Sequence, residues 1–348
     1  MRTHFDPEEA EMKYCGIDLH SNNSVVVIGD EEDRMVYQRR LPNDLAQIVA
    51  VLAPYREELA GVVVESTYNW YFLVDGLMDA GYRVHLAHPS AMKKYEGLKY
   101  SGDFADAAYL AQLLRLGLLP EGYIYPRKER AARDLARKRM QLVRYCTAQI
   151  LSIENIVARQ TGGRMKGAVI KQLTEQQVEA LGFAPDVTLA VECNRAVCQV
   201  LQEKIKVLEK RLKERVNLRP EFRLLKTAPG IGEILATTIM LETGTVARFA
   251  QVGNFSSYCR CVKSLRESNH KKKGEGNAKN GNKYLAWAFV EAANFALRFC
   301  PQAKSFYERK KRKTNRVVAL KAVAHKLARA CYHMLREQKP FEVNRCFV

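Results

Sequence analysis

The segment Tyr14-Cys15-Gly16-Ile17-Asp18-Leu19-His20 is a short apolar run that predicts a β-strand with a carboxylate near its end. A second run, Gly61-Val62-Val63-Val64-Glu65, also ends on an acid. Asp103 and Asp106 open a helical segment, and their spacing of three residues places both on one face. Four convergent carboxylates need cations to hold them together, so the pattern predicts a site for divalent ions, with two Mg²⁺ as the simplest solution.

The segments around these acids predict an α/β domain. The predicted elements are strands at 14–19, 24–28 and 35–41, a helix at 44–56, a strand at 61–65, a helix at 71–80, a strand at 82–87 and a helix at 103–116. The order βββαβαβα is that of an RNase H-like mixed sheet. Fold alone does not establish function, but acids at strand ends and on the last helix strengthen a metal-dependent interpretation.

Charge is distributed unevenly along the 348 residues. Residues 1–110 carry 10 Lys+Arg and 18 Asp+Glu, a net of −8, whereas the whole chain has a net charge of +18, which leaves +26 on the remainder. An acidic first third followed by a basic body indicates a metal-using domain attached to a polyanion-binding one. Nucleic acid is the expected polyanion.

The nine cysteines include no Cys-x-x-Cys pair, so zinc-ribbon spacing is absent. Cys259 and Cys261 near His270 could bind a metal, but inert thiols are the plainer interpretation. The sequence shows neither a signal peptide nor a membrane-spanning run, and we expect a reduced cytoplasmic location and no membrane partner.

The middle of the chain is predicted to be helical. Residues 127 to about 160 lack glycine and proline, Gly162-Gly163 interrupts the pattern, and a second helix is predicted from about 187 to 218. Leu201, Ile205, Leu208 and Leu212 have coiled-coil-like spacing. The pair is interpreted as an antiparallel hairpin or a dimerisation stalk, with plain helical packing as the alternative.

The last third contains three features suited to phosphate contact. Pro229-Gly230-Ile231-Gly232 precedes a helix and would expose backbone N–H groups, although an ordinary helix connection would look the same. Residues 264–283 are rich in Gly, Asn and Lys, and composition alone predicts a flexible surface loop. Helices are predicted at 284–299 and 317–335, and between them lies a basic run, 309–316, that is either a solvated face or a nucleic-acid contact.

The order of these motifs resembles the DEDD-type transposases of bacterial insertion sequences, now described as bridge-RNA-guided serine recombinases. The resemblance extends from Tyr14 to about Leu335 and includes the Pro-Gly-Ile-Gly turn and Lys279-Asn280-Gly281-Asn282. It implies a RuvC-like RNase H-fold domain at 13–125, a long helical coiled-coil region at 126–220 and a mostly helical C-terminal transposase domain at 221–348. The polar, acidic composition of residues 1–12 predicts an N-terminal extension.

The resemblance also assigns roles to residues. The carboxylate tetrad maps onto Asp18, Glu65, Asp103 and Asp106, which would bind the metal and catalyse, and the catalytic serine maps onto Ser268. Many members have Ser-Ser-Gly where this chain has Glu267-Ser268-Asn269, which leaves Ser264 as a weaker alternative nucleophile. The third acidic motif is Ser101-Gly102-Asp103 where Lys-Thr-Asp is frequent. The expected nucleic-acid contacts are Gly230, Gly232, Lys271, Lys272, Lys273, Lys279, Lys283, Arg309, Lys310, Lys311, Arg312 and Lys313.

The activity implied is DNA transposition through a phosphoserine link, with two Mg²⁺ per site and Mn²⁺ as the alternative ion. The implied partners are donor and target double-stranded DNA, a structured bridge RNA from the element, and further copies of the chain in a dimer or tetramer. Tetrad and serine would come from different subunits.

Other functions stay open at this point. A RuvC-like junction resolvase would use the tetrad with a metal-activated water. A nucleic-acid scaffold would need no carboxylate, and an RNA-independent transposase would need no guide. His20 could assist the metal site, although packing is the plainer role, and Tyr68, Trp70 and Tyr71 could stack on bases or fill the core.

Overall fold

A computed structural model describes residues 11–89, 91, 92, 102–262, 266–274 and 280–347, without the side chains of residues 266 and 272. The chain divides into two compact units, Met1–Arg127 and Lys128–Val348. Within the described residues, no helix is both long enough and apolar enough to cross a lipid bilayer.

A five-stranded mixed sheet forms the centre of the first unit. Its strands are β1 (Lys13–Leu19), β2 (Asn23–Gly29), β3 (Met35–Pro42), β4 (Leu59–Glu65) and β5 (Val84–Ala87). They lie side by side in the order β3-β2-β1-β4-β5. The pairs β1–β2 and β2–β3 are antiparallel, whereas β1–β4 and β4–β5 are parallel. The mixed sheet and the predicted order βββαβαβα are confirmed, and both are consistent with an RNase H-like fold.

Three helices accompany the sheet: α1 (Leu45–Leu52), α2 (Trp70–Asp79) and α3 (Asp103–Arg115). The side chain of Asp44 caps α1 by accepting hydrogen bonds from the backbone N–H groups of Ala46 and Gln47. The predicted helix 44–56 ends early, because Pro54 falls in a 3₁₀ turn at Ala53–Tyr55.

The two faces of the sheet bury different helices. Ile17 and Leu19 share a buried cluster with Ile48 of α1 and Leu73 of α2. On the opposite face, Ala107 of α3 packs on β2, and Leu110 of α3 packs on β4 and β5. Because strand residues alternate between faces, Gly16 and Asp18 point toward α3.

The second unit is built mainly from helices. In chain order these are α4 (Arg127–Thr161), α5 (Gly167–Ile170), α6 (Glu175–Glu179), α7 (Pro185–Val216), α8 (Pro220–Leu225), α9 (Glu233–Thr243), α10 (Val252–Tyr258), α11 (Lys283–Phe299), α12 (Pro301–Lys313), α13 (Arg316–Glu337) and α14 (Val343–Phe347). Its largest buried cluster joins α9, α11 and α13 through residues such as Ile239, Phe289 and Leu327.

The two long predicted helices pack against each other within one chain. Arg139 of α4 donates hydrogen bonds to Glu209 of α7, and further along the pair the Cys146 and Cys198 sulfur atoms lie 3.0 Å apart. These contacts show that α4 and α7 run antiparallel. Leu201 and Ile205, from the predicted heptad, pack into the cluster between the two helices.

Two sequence predictions for the last third need correction. Composition predicts a loop at 264–283, but residues 266–274 form an antiparallel hairpin of β6 (Arg266–Ser268) and β7 (Lys271–Gly274). Asn269 and His270 have φ of 51° and 55°, and positive φ at both central residues of a two-residue turn favours a hairpin. The basic run 309–316, predicted as a connection, instead begins inside α12, a helix that the sequence analysis did not predict.

Candidate active site

Strand pairing brings the first two predicted acids together. Asp18 is the penultimate residue of β1 and Glu65 is the last residue of β4. The register of this parallel pair matches Ile17 with Val64, so the following residues, Asp18 and Glu65, lie side by side where both strands end. Asp18 is only 5% exposed. Carboxylates at this edge are therefore a direct result of the sheet topology.

The other two acids reach the same edge from α3. Asp103 and Asp106 occupy the first turn of this helix, where the helix dipole favours negative charge. The helix passes very close to β1, because a Cβ atom on Gly16 would lie far inside the 3.0 Å that real Cβ atoms keep from the Ala107 carbonyl oxygen. The glycine thus allows the approach that places the start of α3 over Asp18.

Asp18 interacts with each of the other three predicted acids. Burial raises the pKa of Asp18 above its usual value; the charge of His20 and a hydrogen bond with Glu65 oppose that rise, while the charges of Asp106 and Asp103 add to it. The pKa of Asp103 is lowered, chiefly by its hydrogen bond from Arg40. A divalent cation at this position would offset both the burial of the Asp18 charge and its repulsion by Asp106 and Asp103.

A histidine and an arginine complete the acidic site. The Nε2 atom of His20 lies 3.3 Å from Asp18 Oδ2 and 3.5 Å from Asp103 Oδ2. Among the described residues, the ligand atoms of Asp18, His20 and Asp103 all fall within 4.8 Å of one another, which is a spacing that can hold a metal ion. Arg40 of β3 donates to Asp103 and also, at 2.8 Å, to Asn23.

Ser268 lies in the second unit, on the β6–β7 hairpin. It is the last residue of β6, pairs with Lys271 across the turn and is exposed. Lys271 and Lys273 are exposed on β7. The hairpin therefore presents an exposed hydroxyl beside positive charge.

The hairpin is anchored at both sides to the end of α10. Before it, the backbone N–H of Cys261 donates to Ser256 O at 3.0 Å, and after it that of Asn282 donates to Tyr258 O at 2.6 Å. Arg260 donates two further hydrogen bonds to Gly281 O. Segments 263–265 and 275–279, with the predicted Ser264 and Lys279, lie outside the described residues, as does the side chain of Lys272.

Comparison with known proteins places both units among transposases. Residues 15–160 match a transposase family of the DEDD type named for IS110, and residues 222–308 match the transposase IS116/IS110/IS902 family. The chain is 23% identical over 296 residues to the transposase for insertion sequence element IS1111A of Coxiella burnetii, covering 83% of this chain and 79% of that protein. It is also 23% identical over 291 residues to a probable family 20 transposase of Pseudomonas aeruginosa, covering 80% and 84%.

The chain belongs to the DEDD-type transposases of insertion sequences. It is accordingly an enzyme of DNA strand cleavage and transfer. The two matched regions include all four acids of the first unit and Ser268 of the second.

The remaining predicted contacts of the transposase lie at helix ends. Lys283 is the first residue of α11. The residues Arg309, Lys310, Lys311, Arg312 and Lys313 are exposed at the end of α12, where the helix dipole favours cations. Gly232 is exposed at the N-cap of α9, whereas Gly230 has φ of +81° and approaches the α11 backbone, which gives it a packing role.

The transposase also contains a buried charge pair that its sequence did not reveal. Glu242 of α9 is 2% exposed and accepts two hydrogen bonds from Arg137 of α4, at 2.6 and 2.7 Å. It also accepts one from Asn282, whose own side-chain oxygen caps α11. The pair supports the place where the chain leaves the hairpin. Sequence spacing could not reveal it, because Arg137 and Glu242 lie 105 residues apart.

Proposed function

We propose that the protein is a site-specific recombinase of its insertion sequence, in which the carboxylates of a RuvC-like, RNase H-fold domain and Ser268 form one composite active site. The observation that carries this is the convergence of Asp18, Glu65, Asp103 and Asp106 at one sheet edge in a chain whose basic second unit presents an exposed serine. The finer domain division, 13–125, 126–220 and 221–348, belongs to the same proposal.

The acidic edge fits divalent ions. Oxygen ligands from several carboxylates are what Mg²⁺ binds, with Mn²⁺ as the alternative, and four carboxylates are enough for two ions. When bound, such ions neutralise and polarise the scissile phosphate. The chain's own contribution is to fix the acids: β1 and β4 align Asp18 with Glu65, and Gly16 allows α3 to bring Asp103 and Asp106 beside them.

Ser268 is the proposed nucleophile. Its Oγ forms a bond to phosphorus while the bond from phosphorus to a deoxyribose oxygen breaks; the hydroxyl proton passes to a carboxylate, and the leaving oxygen takes up a proton. Lys271 and Lys273 on the adjacent strand would offset the charge that builds on the phosphate. The covalent phosphoserine keeps the bond energy for rejoining, which suits strand transfer better than hydrolysis does.

A second copy of the chain would supply the other half of the site. α7 carries three exposed apolar residues on one face, namely Leu189 at 64%, Val200 at 53% and Val207 at 62%. Successive spacings of 11 and 7 residues keep them within one stripe of the helix. This stripe is suited to packing against the same stripe of another subunit as a coiled coil.

The guide would be a structured bridge RNA from the element. The charge of the residues after 110 is +26, which exceeds what the proposed contacts with one DNA duplex use. Such spare charge supports a second polyanion, and base pairing of that RNA with donor and target DNA would select the sites.

Recombination by purified protein, with its flanking non-coding RNA, Mg²⁺, donor and target DNA, tests this function. Wild type is compared with Asp18→Asn, Ser268→Ala and Ser264→Ala, and Ser305→Ala serves as an exposed-serine control from α12. We expect a protein–DNA adduct on a denaturing gel that is lost in Asp18→Asn and Ser268→Ala only.

Other outcomes identify other functions. Cutting without an adduct that persists in Ser268→Ala would mean a resolvase-like nuclease with water as nucleophile. An adduct lost in Ser264→Ala instead would move the nucleophile to that residue. Full recombination without RNA would refute the proposal that an RNA guides the reaction.

A further inference from the structure

His20 is held so that its imidazole faces the acidic edge. Its backbone N–H donates to Asn23 O at 2.9 Å, and its carbonyl accepts from the side-chain amides of Asn43 and Asn69, each at 3.0 Å. These hydrogen bonds fix the residue directly after β1. Asp18 and His20, two positions apart at the end of a strand, consequently point to the same side.

The Nε2 atom of His20 is itself buried and makes no well-aligned hydrogen bond among the described residues, although the imidazole as a whole is 38% exposed. Its neighbours are carboxylate oxygens of Asp18 and Asp103, at 3.3 and 3.5 Å. A buried nitrogen without a well-formed hydrogen bond is costly, so its placement between two carboxylates needs an explanation. Ligands bonded to one ion at about 2.2 Å are about 3 Å from each other in octahedral geometry, which is close to this spacing.

We propose that His20 Nε2 is a direct ligand of the divalent ion held by Asp18 and Asp103. This inference rests on the proposed metal-dependent function and adds a nitrogen ligand to the carboxylate tetrad. The ion between Asp18, His20 and Asp103 then has a mixed nitrogen–oxygen ligand set, whereas an ion held by the other carboxylates has oxygen ligands. Imidazole suits Mn²⁺ and later transition ions better than Mg²⁺. The site should therefore bind Mn²⁺ in preference to Mg²⁺, and the strength of this preference should depend on His20.

Electron spin echo spectroscopy of the Mn²⁺-loaded full-length protein tests the ligand directly, because a coordinated imidazole nitrogen modulates the echo. We expect ¹⁴N modulation in wild type that changes to the ¹⁵N pattern when histidine is ¹⁵N-labelled. His20→Ala should lose the modulation and bind Mn²⁺ about tenfold more weakly, with a smaller change for Mg²⁺. His333→Ala is the matched control, since its imidazole pairs with Glu337 on α13.

Asp18→Asn defines which bound Mn²⁺ belongs to the site, because Glu11, Asp30 and Glu32 form a second acidic group that could take up ions weakly. Some Mn²⁺ bound by the wild type should be lost in Asp18→Asn. If that Mn²⁺ shows no ¹⁴N modulation in the wild type, His20 is not a ligand, while the carboxylate site stands. A wild type that binds no Mn²⁺ beyond the Asp18→Asn level would overturn the proposed metal-dependent function as well.

Discussion

Gly16 of β1 lies directly against the carbonyl group of Ala107 in α3, with no room for a side chain between them. This approach sets the height of α3 above the sheet, and with it the position of Asp103 and Asp106 relative to Asp18. The acidic site therefore depends on a residue that carries no functional group.

Replacing Gly16 with Ala should force α3 away from the sheet. We expect a loss of about 2 kcal/mol or more in the free energy of unfolding, because the clash is with backbone, and a loss of DNA cleavage in the protein that remains folded. Urea denaturation followed by circular dichroism measures the first effect. Gly29→Ala is the control, since a Cβ atom there would meet Arg34 O at an ordinary 3.7 Å. Equal stability of the two variants would contradict the argument.

The Pro-Gly-Ile-Gly turn offers a second paired test. Gly230 combines φ of +81° with contact to the Ala292 backbone, whereas a Cβ atom at Gly232 meets nothing within 4 Å. Gly230→Ala should lower stability by about 1–3 kcal/mol, and Gly232→Ala should change it by less than about 1 kcal/mol. Thermal unfolding compares them. Filter binding of DNA by Gly232→Ala then shows whether the turn contacts phosphate without interference from misfolding.

The hairpin turn predicts a dependence on residue type at position 270. His270 has φ of 55°, which glycine adopts freely and a β-branched residue resists. His270→Gly should keep strand transfer close to wild type, whereas His270→Val should reduce it severalfold by moving Ser268. Adduct yield at equal protein concentration measures this. Comparable yields from both variants would mean that the turn does not position the serine.

Glu242 is expected to hold the second unit together through Arg137 and Asn282. Glu242→Gln leaves the Arg137 charge without its carboxylate and should cost about 2–3 kcal/mol, less than a fully buried pair because Arg137 is partly exposed. Glu209, the partner of Arg139, is more exposed than Glu242, so Glu209→Gln should lower the free energy of unfolding by less. Chemical denaturation of both variants checks the order, and a larger effect of Glu209→Gln would refute it.

The Asp33–Arg115 pair predicts a pH dependence of stability. The pKa of Asp33 is lowered below the usual aspartate value, chiefly because Arg115 donates hydrogen bonds to it. A lowered folded pKa stabilises the protein above the unfolded pKa, and that stabilisation disappears as pH falls through the folded pKa. Asp33→Asn should thus be less stable than wild type at pH 7, with the difference shrinking below pH 3.8. Asparagine also tolerates the φ of 62° at this position.

The elements of the first unit could be predicted from sequence because their signals are local. Apolar runs such as Gly61–Glu65 marked the strands, and three-residue spacing marked the acids of α3. Arg40 could not be connected with Asp103, since 63 residues separate them and only the register of β3 in the sheet brings them together. The β6–β7 hairpin was missed because Asn269-His270 lacks the glycine that usually signals such a turn.

The helix α12 was not predicted because its sequence is densely charged. Its apolar residues are few, and burial of Ala303 and Tyr307, four positions apart, is what fixes it to the core. Gly230 shows the opposite error of emphasis: a glycine beside a helix start suggests phosphate binding, but close approach to another helix requires a glycine equally well.

The anchoring of the hairpin at both sides on the end of α10 has a consequence for evolution. Cys261 and Asn282 both form hydrogen bonds to the backbone of that one helix end, so the two ends of the segment between them are held close together. Doubling the length of a segment whose ends are fixed in this way costs only about 0.6 kcal/mol in closure entropy. Insertions and deletions near the serine should therefore accumulate among relatives with little harm to folding, so that substrate range can diverge while the supporting helices stay the same.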